Sequence, residues 1–353
     1  MSSTAGRIGR ARPHPTVPQG LPSGGVTITL GGRDDLTVPL LRAIRAAIDV
    51  GDGGTAQQRS MLVDLARIVF GVRDLDPDAL APIEPEEVAV RFDTITVRRR
   101  LRMFLVLFML CRHPLPGEQV ARVEAFVDAL GGADGELGLV QARAMSDAAI
   151  LEITDDLHRA WDASLDRMTE TTLRDEYRNT EQPSPELVAR ILALRDLPRG
   201  TLGREYVEFY RDQGFALPGE KPGIPGFFLG HDMCHLIAGC GPQAHEEIAL
   251  GAFLLAAHES DAHWAYLLGV MAIFEYGAYG PSDFEAKIGT LGRPGAMAVV
   301  LDAMLRGQQC YVDLLAVDHL AMAHLPIAEI RRRFNIAEPD PPFPAIVDVD
   351  RSG

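Results

Sequence analysis

Only four cysteines occur in 353 residues, at Cys111, Cys234, Cys240 and Cys310. So few thiols in so long a chain exclude a disulfide framework and suit a reducing compartment. The Cys234-x5-Cys240 spacing matches no recognised zinc pattern. No run of about 18 uninterrupted apolar residues is present, which argues against a membrane-spanning helix. The apolar stretch "MFLVLFMLC" at 103–111 is too short for one. Positive charge is scarce as well: 34 Lys and Arg against 49 Asp and Glu leave a net charge of -15. With the acids spread along the chain, that balance works against capture of nucleic acid through its phosphates. Runs of β-branched residues are rare after "VTITL" at 26–30, which removes the main signal for a sheet.

What is present is helical. An apolar fraction of 47% with 24% charged residues is ordinary for a globular chain. From Leu36 onward Ala, Leu, Arg and Glu recur at helical period, interrupted by "VGDGG", "LDPD" and "RHPLPGE", whose Gly, Pro and Asp mark turns. The expected fold is all-α, a multi-helix bundle. Residues 1–25, with Arg7, Arg10, Arg12 and several prolines, read as a disordered tail, and 341–353 as a second tail. Between them lie a helical region of unassigned role, 26–145, and a second helical domain, 146–340. Arg98, Arg99, Arg100 and Arg102 precede the 103–111 stretch, which reads as a buried helix with snorkelling arginines. "GGADGELG" near 131 offers too few oxygen ligands for an EF-hand. "GTLGR" at 200–204 and 289–293 reads as a helix-entry turn used twice.

The chemistry concentrates in "GIPGFFLGHDMCHLIAGCGPQAHEEIALGAF", residues 223–253. His231 and His235 are four apart, so on a helix they share one face and can present two imidazoles to a single ion. Gly239, Gly241 and Pro242 then impose a reversal, after which helical period resumes. Across an antiparallel pair, Glu247 returns to the height of His235 and can face both rings. Glu246 or His245 could take that place. Asp232 is either a fourth ligand or the group that orients an imidazole. Two histidines with one or two carboxylates leave positions open, as catalytic metal sites do. Phe227 and Phe228, one turn earlier, could line an apolar pocket beside the site. His258, Glu259, Asp261 and His263 read as a solvated helix junction, and Cys234, Cys240, His319 and His324 as structural residues.

"HDMCHLIAGCGPQAHEE" contains His-Asp-x-x-His-x11-Glu at His231, Asp232, His235 and Glu247. Together with "LPRGTLGREYVEFYRDQGF" at 197–215 and "LPIAEIRRRFNI" at 325–336, it resembles the coenzyme Q biosynthesis protein 4 family, over roughly residues 150–338. The resemblance implies an all-helical fold and a divalent ion, usually zinc, on the four motif residues; if oxygen takes part, two histidines with a carboxylate suit iron(II) as well. It also implies an isoprenoid-quinone intermediate as ligand and removal of the ring C1 carboxyl in ubiquinone synthesis, with Asp232 as the catalytic carboxylate. Implied partners are a polyprenylated aromatic substrate and other quinone biosynthesis enzymes, in the cytoplasm or peripherally on a membrane, with a homo-oligomer allowed. A noncatalytic scaffold that binds the lipid is the alternative. Because every motif lies in the second part, residues 150–338 are expected to fold and hold the ion without residues 1–140.

Overall fold

The computed structural model describes residues 33–131, 185–218, 220, 228–277 and 287–339. Those residues form helices joined by turns, with no strand among them and two isolated bridges, Thr201 with Pro326 and Tyr276 with Ile288. The fold is all-α. The tails, "VTITL", the "GGADGELG" turn beyond Gly131, the boundary near 145 and Phe227 lie outside the described residues.

Five helices make the first group: α1 (Thr37–Ile48), α2 (Ala56–Ile68), α3 (Pro85–Arg91), α4 (Ile95–Leu110) and α5 (Gly117–Ala129). Their starts follow local chemistry: Thr55 and Gln58 close a capping box on α2, and the Thr94 hydroxyl accepts from Val97 N–H to open α4. The second group holds α6 (Pro185–Ala193), α7 (Leu202–Asp212), α8 (Phe228–Ala238), α9 (Ala244–Ala257), α10 (Asp261–Phe274), α11 (Ala296–Gly307), α12 (His319–Met322) and α13 (Ile327–Phe334). Both "GTLGR" copies are helix-entry turns, with Gly200 at φ 83° before α7 and Gly289 at φ 68° before a short 3-10 turn. Gly214, at φ 73°, follows the end of α7.

One hydrophobic core runs through both groups, from Leu36 to Ile336. α9 is its axis. Apolar on all sides after its first turn, it packs against α10 and α11, while α2 meets α11 and α4 meets α10. Polar ties reinforce these crossings. Arg100 Nη2 on α4 lies 2.7 Å from Glu259 Oε2, with side chains only 5% and 10% exposed, and Trp264 Nε1 donates to Glu259 Oε1 at 3.1 Å. Glu275, fully buried, accepts from Gln57 Nε2 at 2.6 Å and from Leu291 N–H at 2.7 Å.

Two sequence expectations need correcting here. Arg100 does not snorkel to solvent: α10 and the end of α9 cover α4, so its guanidinium is interior and needs a buried carboxylate. The junction at 258–263 is correspondingly not solvated, since Glu259 is that carboxylate and His263 is buried, its Nε2 3.2 Å from Asp313 Oδ1. Only His258 of that stretch is exposed among the described side chains. The four cysteines are free and buried, as a core role requires.

Candidate metal centre

The site rests on α8, whose end is unusually well defined. Gly239 stands at φ 70° just past Ala238, and Cys240 N–H bonds back to the His235 carbonyl at 3.0 Å, a Schellman closure. Of the remaining terminal carbonyls, Leu236 accepts from Arg331 Nη2 at 3.0 Å and Ile237 from Arg331 Nε at 2.9 Å. Arg306 Nη1 reaches Ala238. The four acceptors that a helix leaves unpaired at its C-terminus are therefore all satisfied, two guanidinium groups also meeting the negative end of the helix dipole. α9 then begins with a capping box between Gln243 and Glu246, in which the Glu246 carboxylate takes the Gln243 N–H. That leaves Glu247 to face α8.

His231 Nε2 lies 3.6 Å from Glu247 Oε2, and His235 Nε2 lies 3.3 Å from Glu247 Oε1. One ligand atom from each of the three residues falls within 4.8 Å of the others. Tetrahedral zinc with bonds of about 2.0–2.1 Å holds its ligands about 3.3–3.4 Å apart, so the donor set fits a divalent ion. Glu246 and His245 do not join it: the first is engaged in the cap, the second is buried elsewhere in the first turn of α9.

Asp232 takes a different place. Its Oδ1 lies 3.0 Å from Nδ1 of His231, the ring nitrogen turned away from Glu247, and its Oδ2 accepts the Tyr210 hydroxyl at 2.5 Å. This is the position from which a carboxylate fixes the tautomer and direction of a ligating imidazole. Tyr210 comes from α7, where its ring lies 4.6 Å from that of Tyr206, tilted by 46°. His235 has no such helper: its Nδ1 is buried without a hydrogen-bond partner, and the ring is held by packing with Phe209 nearly parallel at 6.2 Å. Phe228 stands edge-on to His231 at 6.2 Å.

Charge follows from these contacts. Burial opposes protonation of His231, but the hydrogen bonds its ring donates to the Asp232 and Glu247 carboxylates outweigh it and push its pKa up to about 10. Burial likewise opposes charge on Glu247, yet His235 and His231 beside it hold the carboxyl well below the usual range. His319, by contrast, is a buried neutral ring with its pKa pushed down to about 4 by desolvation, its Nε2 3.5 Å from Cys234 Sγ. His324 is exposed beyond the end of α12.

Two residues close to the site carry no sequence signal of their role. Tyr266 on α10 has its hydroxyl 2.8 Å from His231 Nε2, and Tyr210 acts 22 residues away from its partner Asp232. The first lies in no motif; the second lies inside the 197–215 block but reads there only as an apolar helix position. The three blocks that carry the resemblance form one unit around α8. Leu202 N–H bonds to the Leu325 carbonyl at 2.9 Å, Tyr210 reaches Asp232, and Arg331 caps α8.

No family model matches the chain, and no curated protein matches it. Among solved structures, the chain is similar to a protein of Nostoc punctiforme PCC 73102, provisionally named a ubiquinone biosynthesis protein and determined at 2.85 Å. The two are 20% identical, the match covers 66% of this chain and 96% of that one, and the TM-score is 0.30.

Proposed function

We propose that this chain is a metal-dependent enzyme of ubiquinone synthesis that removes the C1 carboxyl of a polyprenyl 4-hydroxybenzoate. The observation that carries the proposal is the meeting of His231, His235 and Glu247 at ion-binding separations, within the motif that the coenzyme Q biosynthesis protein 4 family shares. A bound divalent ion would supply a Lewis acid with positions left for a carboxylate or water.

The chain's own residues define the rest. Asp232 holds the proton of His231 Nδ1 and so keeps Nε2 directed at Glu247. Tyr210 fixes Asp232 in turn. Phe228 offers an apolar edge against which an aromatic ring can lie. The site side chains are between 1% and 15% exposed, so few waters compete for the donors. In the reaction the bond between C1 and its carboxyl breaks and carbon dioxide leaves. C1 then takes either a proton or, with dioxygen as oxidant, one oxygen atom, the second leaving as water as the 4-hydroxylated ring is oxidised to the para-quinone. The second course suits iron(II), because zinc is redox-inert. A polyprenyl tail and partner enzymes at a membrane surface belong to the same reading; no described helix is long and apolar enough to cross a membrane.

The test joins composition to turnover. Elemental analysis and lipid mass spectrometry of purified protein are expected to show a divalent ion and a polyprenyl aromatic. Asp232→Asn keeps the shape but offers Nδ1 an amide in place of a charged acceptor. In cells lacking the endogenous homologue it should lower conversion of the carboxylated intermediate about 10–100-fold, the scale of losing such a support. Full quinone levels at equal protein abundance would leave a lipid-binding scaffold and no enzyme.

A further inference from the structure

The donors of the site come from α8 and α9, yet a third helix also reaches it. Tyr266 of α10 places its hydroxyl 2.8 Å from His231 Nε2, the nitrogen that faces Glu247. Its ring centroid is 6.0 Å from that of His231, tilted by 53°, so the phenol approaches the imidazole from its nitrogen edge. What allows this approach is Gly251. It lies four residues after Glu247, hence on the same face of α9 one turn further on. A Cβ there would stand 3.3 Å from Tyr266 Cε1 and 3.2 Å from both Leu267 Cδ1 and Val270 Cγ2. The missing side chain lets α10 settle onto α9 and carries the Tyr266 ring along the α9 backbone toward Glu247.

Building on the metal-centre reading above, we propose that Tyr266 supplies the fourth protein donor, its phenol oxygen, to the ion held by His231, His235 and Glu247. The hydroxyl stands where a ligand adjacent to His231 Nε2 would, and its 2.8 Å separation is close to the roughly 3 Å between neighbouring donors of a five- or six-coordinate ion with bonds of about 2.1 Å, a geometry that keeps a position for carboxylate or water. Binding forms an oxygen–metal bond and releases the phenol proton to solvent. A two-histidine, one-carboxylate, one-phenolate set is hard and anionic. It favours an iron or zinc ion over a copper(I) ion and neutralises the divalent charge inside the core. Asp232 remains outside the set, occupied with Nδ1 of His231 and with Tyr210.

The test uses the full chain and the metals themselves. Tyr266→Phe retains the ring and removes the oxygen. Competition with a chromophoric chelator should show zinc affinity reduced about tenfold or more relative to the unaltered protein, the scale at which support of a metal site is lost. Loss of the hydrogen bond to His231 alone could also weaken binding, so a second readout separates the roles. Protein loaded with iron(II) without oxygen and then oxidised should absorb visible light through phenolate-to-iron(III) charge transfer, and Tyr266→Phe should lack that band. Circular dichroism of the metal-free variant checks its fold. Should it fail to fold, Gly251→Ala keeps the phenol but displaces the ring, and the band should shift or weaken. If the unaltered protein binds zinc or iron but shows no such band, and Tyr266→Phe binds equally well, the fourth-donor assignment is wrong while the three-residue centre stands. If the unaltered protein binds neither metal, the centre and this assignment fall together.

Discussion

His231 uses both ring nitrogens, and that fixes how the site responds to pH. In the metal-free protein its pKa of about 10 lies above the unfolded value of 6.5, so the folded state binds the extra proton between those limits. The stabilisation is complete below pH 6.5 and is lost as pH rises toward 10. An ion needs the same nitrogen deprotonated, so metal affinity should move the other way and increase over that window. Thermal melts in chelator and in zinc, at pH 6.5 and 8.5, should therefore diverge: the melting temperature falls with pH in chelator, and the gain from zinc grows. Equal gains at the two pH values would show that zinc does not displace a proton from His231. At this scale the sequence was informative where spacing alone brings groups together. His231, Asp232 and His235 lie within five positions of one helix, and Glu247 follows a reversal that glycines announce. Tyr210 and Tyr266 were not legible, because a phenol on an apolar helix face is indistinguishable from core until the neighbouring helix is placed.

Among the helices, α8 shows how a site is held by parts that do no chemistry. Arg331 donates to two of its last carbonyls, and Arg306 to a third. A hydrogen bond from a charged donor is worth about 1.5–3 kcal/mol, and a partner carbonyl left buried adds its own cost. Arg331→Met keeps most of the apolar stem and should lower stability by about 2–4 kcal/mol in urea denaturation. Zinc affinity should fall with it, because the turn carrying His235 is the one released. Unchanged stability would mean that water replaces the guanidinium at no cost. The helical class was readable from period and from the Gly, Pro and Asp that mark turns, whereas the partner of each helix was not. "RRRF" at 331–334 gives no hint that its first arginine serves a helix almost a hundred residues earlier, since guanidinium reach is set by tertiary placement.

Over the whole molecule, the motifs and the core divide the chain differently. The candidate site residues all lie beyond residue 185, but α2 and α4 cover α11 and α10, and Gln57 and Arg100 satisfy carboxylates buried in that second part. Residues 150–338 produced alone should therefore be insoluble or associate, leaving Glu259 and Glu275 interior without those partners. Gel filtration and a thermal melt of that fragment check this; a soluble monomer with a cooperative transition would show that the second part is self-sufficient. The motif distribution pointed to a separable domain because motifs report where reactive side chains are, and say nothing of which apolar faces meet. α4 illustrates the difference: its apolar run was legible as buried, while the residue that neutralises its arginine was not.

That same pair sets a delay during synthesis. Glu259 follows Arg100 by 159 positions in the chain. At roughly 5–20 residues per second on the ribosome, α4 emerges on the order of ten to thirty seconds before the carboxylate that completes its surroundings. α1 and α5 belong to the first group and are made at nearly the same time, so they can shelter part of "MFLVLFML" while Glu259 is still to be made. The native burial of α4, which includes its contacts with α10 and the Arg100–Glu259 pair, can therefore be completed only in the second half of synthesis.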